Sequence, residues 1–289
     1  STDPTASGEI FYNTTALPTG ATGFKTVVSS AAWSSSSPMI TARYAAGSGT
    51  QTAALASGGY NGSNSALTEE YNGIGFSAGG ALNTGRRNSA GAGSQTAGLV
   101  FGGTLNPSSE TANSETYNGT SFSEGNNLNS ARGGLAGAGV STAALAFGGS
   151  FEPGGPYAMN ESEEYNGTSW SEGNNLNSGR STLVGAGTQT AGLGFGSSPP
   201  SINNDVLTEE YDGTNWTTGN ALSGSGRRGT GGAMPSSSSP GFVTGGETAT
   251  TNPITTTEEY DGTSFSSSTA IPTAHRDFAQ SDGGTGAAG

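Results

Sequence analysis

The chain has no cysteine, one histidine and nine Lys+Arg against 22 Asp+Glu, giving a formal net charge of −13 over 289 residues. Each shortage removes a class of function. Without cysteine there is no disulfide framework, zinc–thiolate site or thiol nucleophile. So few cations cannot build the basic face that a nucleic-acid binder requires. Apolar runs also fall far short of the roughly 18 residues that a membrane-spanning helix needs. Hydrophobic residues make up only 30% of the chain, and low hydrophobicity combined with net charge commonly marks disorder. Ser1 stands where an initiator Met would, and reads as the start of a processed chain or of an excised segment.

What is abundant argues against disorder. Gly, Ser and Thr fill 131 positions (51 Gly, 80 Ser+Thr), and they recur in register. Glu69-Glu70-Tyr71-Asn72-Gly73 returns at Glu115 (as Glu-Thr-Tyr-Asn-Gly), Glu163, Glu209 and Glu258, the tyrosines being 46, 48, 46 and 49 residues apart. An aromatic follows each time (Phe76, Phe122, Trp170, Trp216, Phe265), and then an arginine (Arg86, Arg132, Arg180, Arg227, Arg276). Arg43 holds the same place after Trp33. Small-residue runs then lead to a small pair: Gly58-Gly59, Gly102-Gly103, Gly148-Gly149, Gly196-Ser197 and Gly245-Gly246. A period of this length is that of a repeat architecture.

Each unit reads as four short antiparallel strands: a small-residue strand, an apolar strand, and a hairpin whose turn is Asn-Gly or Asp-Gly. Those dipeptides predict a two-residue type I′ turn, which sets Tyr71 opposite Ile74 and Glu69 opposite Phe76. The first glutamate of each doublet then faces the aromatics, and the second faces solvent. The first glutamates (Glu69, Glu115, Glu163, Glu209, Glu258) and the repeat arginines (Arg43, Arg86, Arg132, Arg180, Arg227, Arg276) are expected to form buried charge-assisted pairs, within or between units.

This order of arginine, small-residue strand, apolar strand, glycine pair, loop, tyrosine and aromatic resembles the kelch repeat, over nearly the whole chain from Tyr12 to about Gly284. The resemblance implies an all-β kelch-type β-propeller of four-stranded blades, one domain spanning 1–289. Residues 34–265 would supply five repeats, residues 1–33 N-terminal closing strands, and residues 266–289 the start of the closing blade. That count expects six blades, the last closed by both termini, or seven if residues 8–28 contribute more strands. The dialect of runs such as 90–97 and 163–170 is also similar to repeats in virion proteins of marine cyanophages.

The second resemblance implies a virion-surface module, a tail fibre or decoration with a structural or receptor-binding task. Its expected partners are other virion or filament proteins, further copies of itself and host surface glycan, with no nucleic acid, no membrane insertion and a virion or extracellular location. The alternative is a secreted protein that forms a filament or matrix from the same blades. A glycan-active enzyme comes third. Galactose-oxidase-like chemistry needs two histidine ligands and a Tyr–Cys crosslink, and this chain has only His275 and no cysteine. The Asp-Gly-Thr-Asn-Trp run at Asp212 is one residue short of a sialidase Asp box. Neighbouring glutamates on a strand point to opposite faces and make no ready chelate. The expectation is therefore no catalytic residue, no metal and no cofactor. Binding is expected in the loops after the small pairs, which diverge in length and composition. Tyr60, Phe151, Tyr157, Asn204 and Asp205 carry the aromatic and amide chemistry suited to a sugar.

Overall fold

The computed structural model describes residues 10–12, 24–26, 33, 36–105, 109–151, 158–197, 206–224, 226–234, 236–248 and 251–275. The chain divides into two compact units, Ser1–Ser34 with Ala287–Gly289, and Ser35–Gly286. The described part of the first unit is an antiparallel pair of strands, Ile10–Tyr12 and Phe24–Thr26.

The second unit is a propeller-like arrangement of five blades, each a four-stranded antiparallel sheet in sequence order. Blade 1 comprises Tyr44–Thr50, Ala53–Tyr60, Thr68–Tyr71 and Phe76–Ala78. Blade 2 comprises Ala90–Ser94, Ala97–Phe101, Ser114–Tyr117 and Phe122–Glu124. Blade 3 comprises Ala136–Val140, Ala143–Phe147, Ser162–Tyr165 and Trp170–Glu172. Blade 4 comprises Val184–Thr188, Ala191–Phe195, Thr208–Tyr211 and Trp216–Thr218. Blade 5 comprises Gly231–Ala233, Gly241–Thr244, Thr257–Tyr260 and Phe265–Ser268. Among the described residues the blade count is therefore five, not six or seven. Among the described residues the two N-terminal strands form a two-stranded sheet of their own. The C-terminal start of a closing blade, from Arg276 onward, lies outside the described residues.

Small residues are required where blades meet. The first strands of consecutive blades are neighbours, and glycine faces glycine along them. A Cβ on Gly91 would stand 2.7 Å from the Gly47 carbonyl oxygen, one on Gly137 2.7 Å from that of Gly91, and one on Gly185 2.2 Å from that of Gly137. Aromatic packing then holds the blades together further out. Phe101 meets Trp170 of the next blade at 4.9 Å between ring centroids, and Phe147 meets Trp216 at 4.7 Å. A core this poor in aliphatic residues rests on these rings, whose burial and tilted geometry each contribute.

The hairpin turns differ from the expected form. Tyr71 pairs with Phe76 and Glu69 with Ala78, so the loop holds four residues rather than two. Only the glycine takes positive φ (Gly73, 88°), whereas a type I′ turn needs two such residues. The asparagine acts through its side chain: Asn72 Oδ1 accepts from the backbone N–H of Ile74 and of Gly75, both at 3.0 Å. Asp212 does the same with Thr214 and Asn215, and these backbone donors hold its carboxyl below the usual range. Because the register moved by two residues, the first glutamate still shares a face with the aromatics.

Candidate functional site

The repeat arginines and first glutamates sit inside the blades. Arg86 Nη2 donates to Glu115 Oε1 at 2.7 Å, Arg132 to Glu163 at 2.5 Å and Arg180 to Glu209 at 3.1 Å; Arg43–Glu69 and Arg227–Glu258 are paired likewise. Every pair lies within one unit. The second oxygen of the carboxylate accepts from the backbone of the segment entering the blade, as in Asn83 N–H to Glu115 (2.7 Å) and Asn129 N–H to Glu163 (2.7 Å). Each arginine also donates to a backbone carbonyl, such as Arg132 Nη1 to Glu161 O at 2.9 Å. Burial lowers the pKa of Arg86, Arg132, Arg180 and Arg227 while their glutamates raise it. This network ties the strands of each blade together. Arg276 lies outside the described residues, but the carbonyl of its neighbour His275 accepts from Gly246 N–H at 2.8 Å. The Arg86, Arg132 and Arg180 carbonyls do the same for Gly59, Gly103 and Gly149.

The second glutamates are not merely solvated. Tyr117 of blade 2 donates its hydroxyl to Glu70 of blade 1 at 2.5 Å, and Tyr260 of blade 5 donates to Glu210 of blade 4 at 3.2 Å. Tyr211 of blade 4 donates to Glu164 of blade 3. Burial first, and the adjoining carboxylate second, raise the pKa of Tyr117 and Tyr211. Sequence reading missed these bonds because their partners stand 47 or 50 residues apart, on different blades.

A different arrangement occupies the end of the blades where first strands begin and second strands finish. There the residue after each repeat arginine forms a backbone bridge with the residue after the small pair. The bridge is the same in four blades, yet its side chains differ every time: Tyr44 with Tyr60, Arg87 with Thr104, Gly133 with Ser150, Arg228 with Glu247. Gly59 places the tyrosine pair. Its φ of 106° puts its α-carbon where a Cβ would stand 2.0 Å from the Tyr44 carbonyl oxygen, so only glycine fits. The Gly59 N–H bond to the Arg86 carbonyl, 2.8 Å long, then brings Arg87 beside Tyr60.

Tyr44, Tyr60, Arg87 and Asn88 line a cleft of about 400 Å³. The Arg87 guanidinium lies over the Tyr60 ring, 5.1 Å from its centroid, and its Nη1 donates to Asn64 Oδ1 at 3.1 Å. Asn64 is itself anchored, donating to the Thr104 carbonyl at 2.7 Å. Beside the cleft a smaller cavity, about 80 Å³, is lined by residues of all five blades, among them Tyr44, Asn88, Gly134, Thr182 and Gly229. Four of these hold left-handed backbone, with φ of 54° at Asn88, 62° at Gly134, 53° at Thr182 and 60° at Gly229. The conformation is costly for a β-branched residue such as Thr182. Backbone bonds from Gly134 N–H to Asn88 O (2.8 Å) and from Thr182 N–H to Gly134 O (2.7 Å) hold this collar.

Of the sequence-selected binding residues, the structure places Tyr60 in the cleft. Phe151 is 62% exposed on the loop of blade 3 and is not a lining residue. Tyr157, Asn204 and Asp205 lie outside the described residues. Sequence reading overlooked Tyr44, Arg87 and Asn88, although the doubled arginine at 86–87 was a signal. Among the described residues no group of three His, Cys, Asp or Glu could hold a metal ion, and no helix is long and apolar enough to cross a membrane. No protein-family model and no curated protein matches the chain.

Proposed function

We propose that the chain is a non-enzymatic, kelch-type propeller module of a virion surface, a tail fibre or decoration, which contacts host surface glycan through the loop end of its blades. The observation that carries this reading is the varied bridge: one backbone pairing, repeated from blade to blade, bears different side chains each time. A scaffold that repeats its interior and diversifies one end is suited to binding. The cleft of about 400 Å³ at that end falls within the size range of small-ligand sites, and its tyrosines, guanidinium and amide suit a sugar ring and its substituents. The kelch assignment rests on the order of arginine, glycine pair, tyrosine and aromatic. Electron microscopy of the native particle with an antibody to this chain tests the location, and labelling of tail or capsid is expected. A glycan array with the purified chain tests the contact. Absence of label from particles would end the virion reading, and an array without hits would end the glycan reading.

A further inference from the structure

We infer that the Tyr44–Tyr60–Arg87–Asn88 cleft binds a carboxylated sugar, with the sugar's carboxylate on Arg87; this rests on the glycan-contact reading and narrows its ligand class. Every other arginine among the described residues holds a glutamate within ion-pair distance. Arg87 does not. Its counterpart in blade 5, Arg228, bridges to Glu247 and pairs with it at 2.5 Å. In blade 2 the bridge partner is Thr104, whose hydroxyl donates to Glu110 Oε2 at 2.8 Å. Burial raises the pKa of that carboxylate and the Arg87 charge, acting through space, lowers it, but the two form no ion pair.

Arg87 is also held in place. Tyr60 lies beneath its plane and Asn64 fixes one Nη, leaving Nε and Nη2 without a protein acceptor among the described residues. A guanidinium with two adjacent donors matches a carboxylate in bidentate fashion. The net charge of −13 gives an anion no general attraction to this protein. An anion bound here must therefore be held locally. Tyr44, 51% exposed, offers a ring face for sugar C–H groups, and the exposed Asn88 offers an amide for hydroxyls. Together these select a ring with an attached carboxylate over a bare anion.

Calorimetric titration with trigalacturonate and with its methyl ester tests this, because the ester keeps the sugar and removes the charge. Binding of the acid is expected, with the ester weaker by roughly 10- to 100-fold, the value of a charge-assisted hydrogen bond. Arg87→Gln should lose the same factor, Tyr44→Ser should also weaken binding, and Arg228→Gln should leave it unchanged. Thermal melting of each variant verifies folding, and loss of binding in a folded Tyr44→Ser keeps the inference testable should Arg87→Gln unfold. Equal binding of acid and ester, unaffected by Arg87→Gln, overturns the carboxylate assignment and leaves the glycan reading standing. If neither sugar binds while the glycan array shows neutral hits, this inference alone fails. An array without hits removes both. Binding of an acidic peptide, but not of the sugar, through Arg87 also overturns it.

Discussion

Two neighbouring positions, the repeat arginine and the residue after it, are under opposite constraints, and in blades 2 and 5 both are arginine (Arg86-Arg87 and Arg227-Arg228). Arg132 is fully buried against Glu163, and four further blades repeat that pair without exception. One residue along, the bridge position carries Tyr44, Arg87, Gly133 or Arg228. Folding constrains the two positions differently. An arginine whose neighbours are backbone carbonyls and a buried carboxylate cannot be exchanged without stranding a charge. At the bridge the backbone asks only for N–H and C=O, so the side chain varies with its surroundings: exposed at Tyr44, and confined at Gly133, where a Cβ would stand 2.3 Å from Glu110 Oε2.

The largest effect is expected at the buried pair. Glu163→Ala should cost about 3–5 kcal/mol, because Arg132 is left charged and unpartnered in the interior. Replacing both residues (Arg132→Met with Glu163→Leu) should cost much less than the single change, a reversal that chemical denaturation would show. If the single variant unfolds at the same denaturant concentration as the parent, the pair has no structural role. Glu69 adds a pH test. Burial pushes its carboxyl up, but the bonds from Arg43 and from the backbone N–H groups of Ile40 and Thr41 outweigh this and hold it below 4.5. Its folded-state pKa is depressed, so its stabilisation is complete above pH 4.5 and fades as pH falls through the depressed value. Acid melting curves of Glu69→Gln should converge on those of the parent at low pH.

The next effect lies between blades. Tyr211→Phe removes the hydroxyl that Glu164 accepts and should cost about 1–2 kcal/mol. Tyr165→Phe should cost far less, since blade 2 carries Thr116 where the other blades carry the second glutamate. The tyrosine pKa values are raised, so this stabilisation is complete below the ordinary tyrosine value of 10.0 and fades as pH rises from there toward the raised values. Comparison of the two variants in thermal melts at neutral and alkaline pH checks both statements. Equal costs at neutral pH would remove the interblade bond from the account.

The strand pattern and the face of the first glutamate were legible in the sequence because both follow from a period of two and a repeated register. Asn72-Gly73 and its repeats marked the turn but not its length. The same dipeptide serves a two-residue hairpin through backbone φ and a four-residue one through the Asn side chain, and sequence shows only the dipeptide. Tyr60 was found through its place after Gly58-Gly59. Tyr44 and Arg87 were not, since what joins them to Tyr60 is a bridge across 16 residues in one case and a contact between blades in the other. The count of blades fails for a related reason: a partial repeat at each terminus reads as half a blade, but nothing in it says which sheet edge its strands will join.

The smallest effect is expected where the arginine of a pair reaches solvent, at Arg228 and Glu247. Arg228 and Glu247 share the chemistry of Arg132 and Glu163 and a comparable separation of 2.5 Å, but Arg228 is 41% exposed. Arg228 reaches solvent, which screens the attraction, while Glu247 is buried, so Arg228→Gln should cost about 1 kcal/mol, well below the loss at the fully buried pair. The backbone bonds Arg228 N–H to Glu247 O (3.1 Å) and Glu247 N–H to Arg228 O (2.9 Å) survive the substitution. High salt should therefore affect the parent and the variant almost equally in a melting experiment. A loss as large as that of Glu163→Ala would mean that the bridge position is structural after all, and the diversity of side chains across the blades would need another cause.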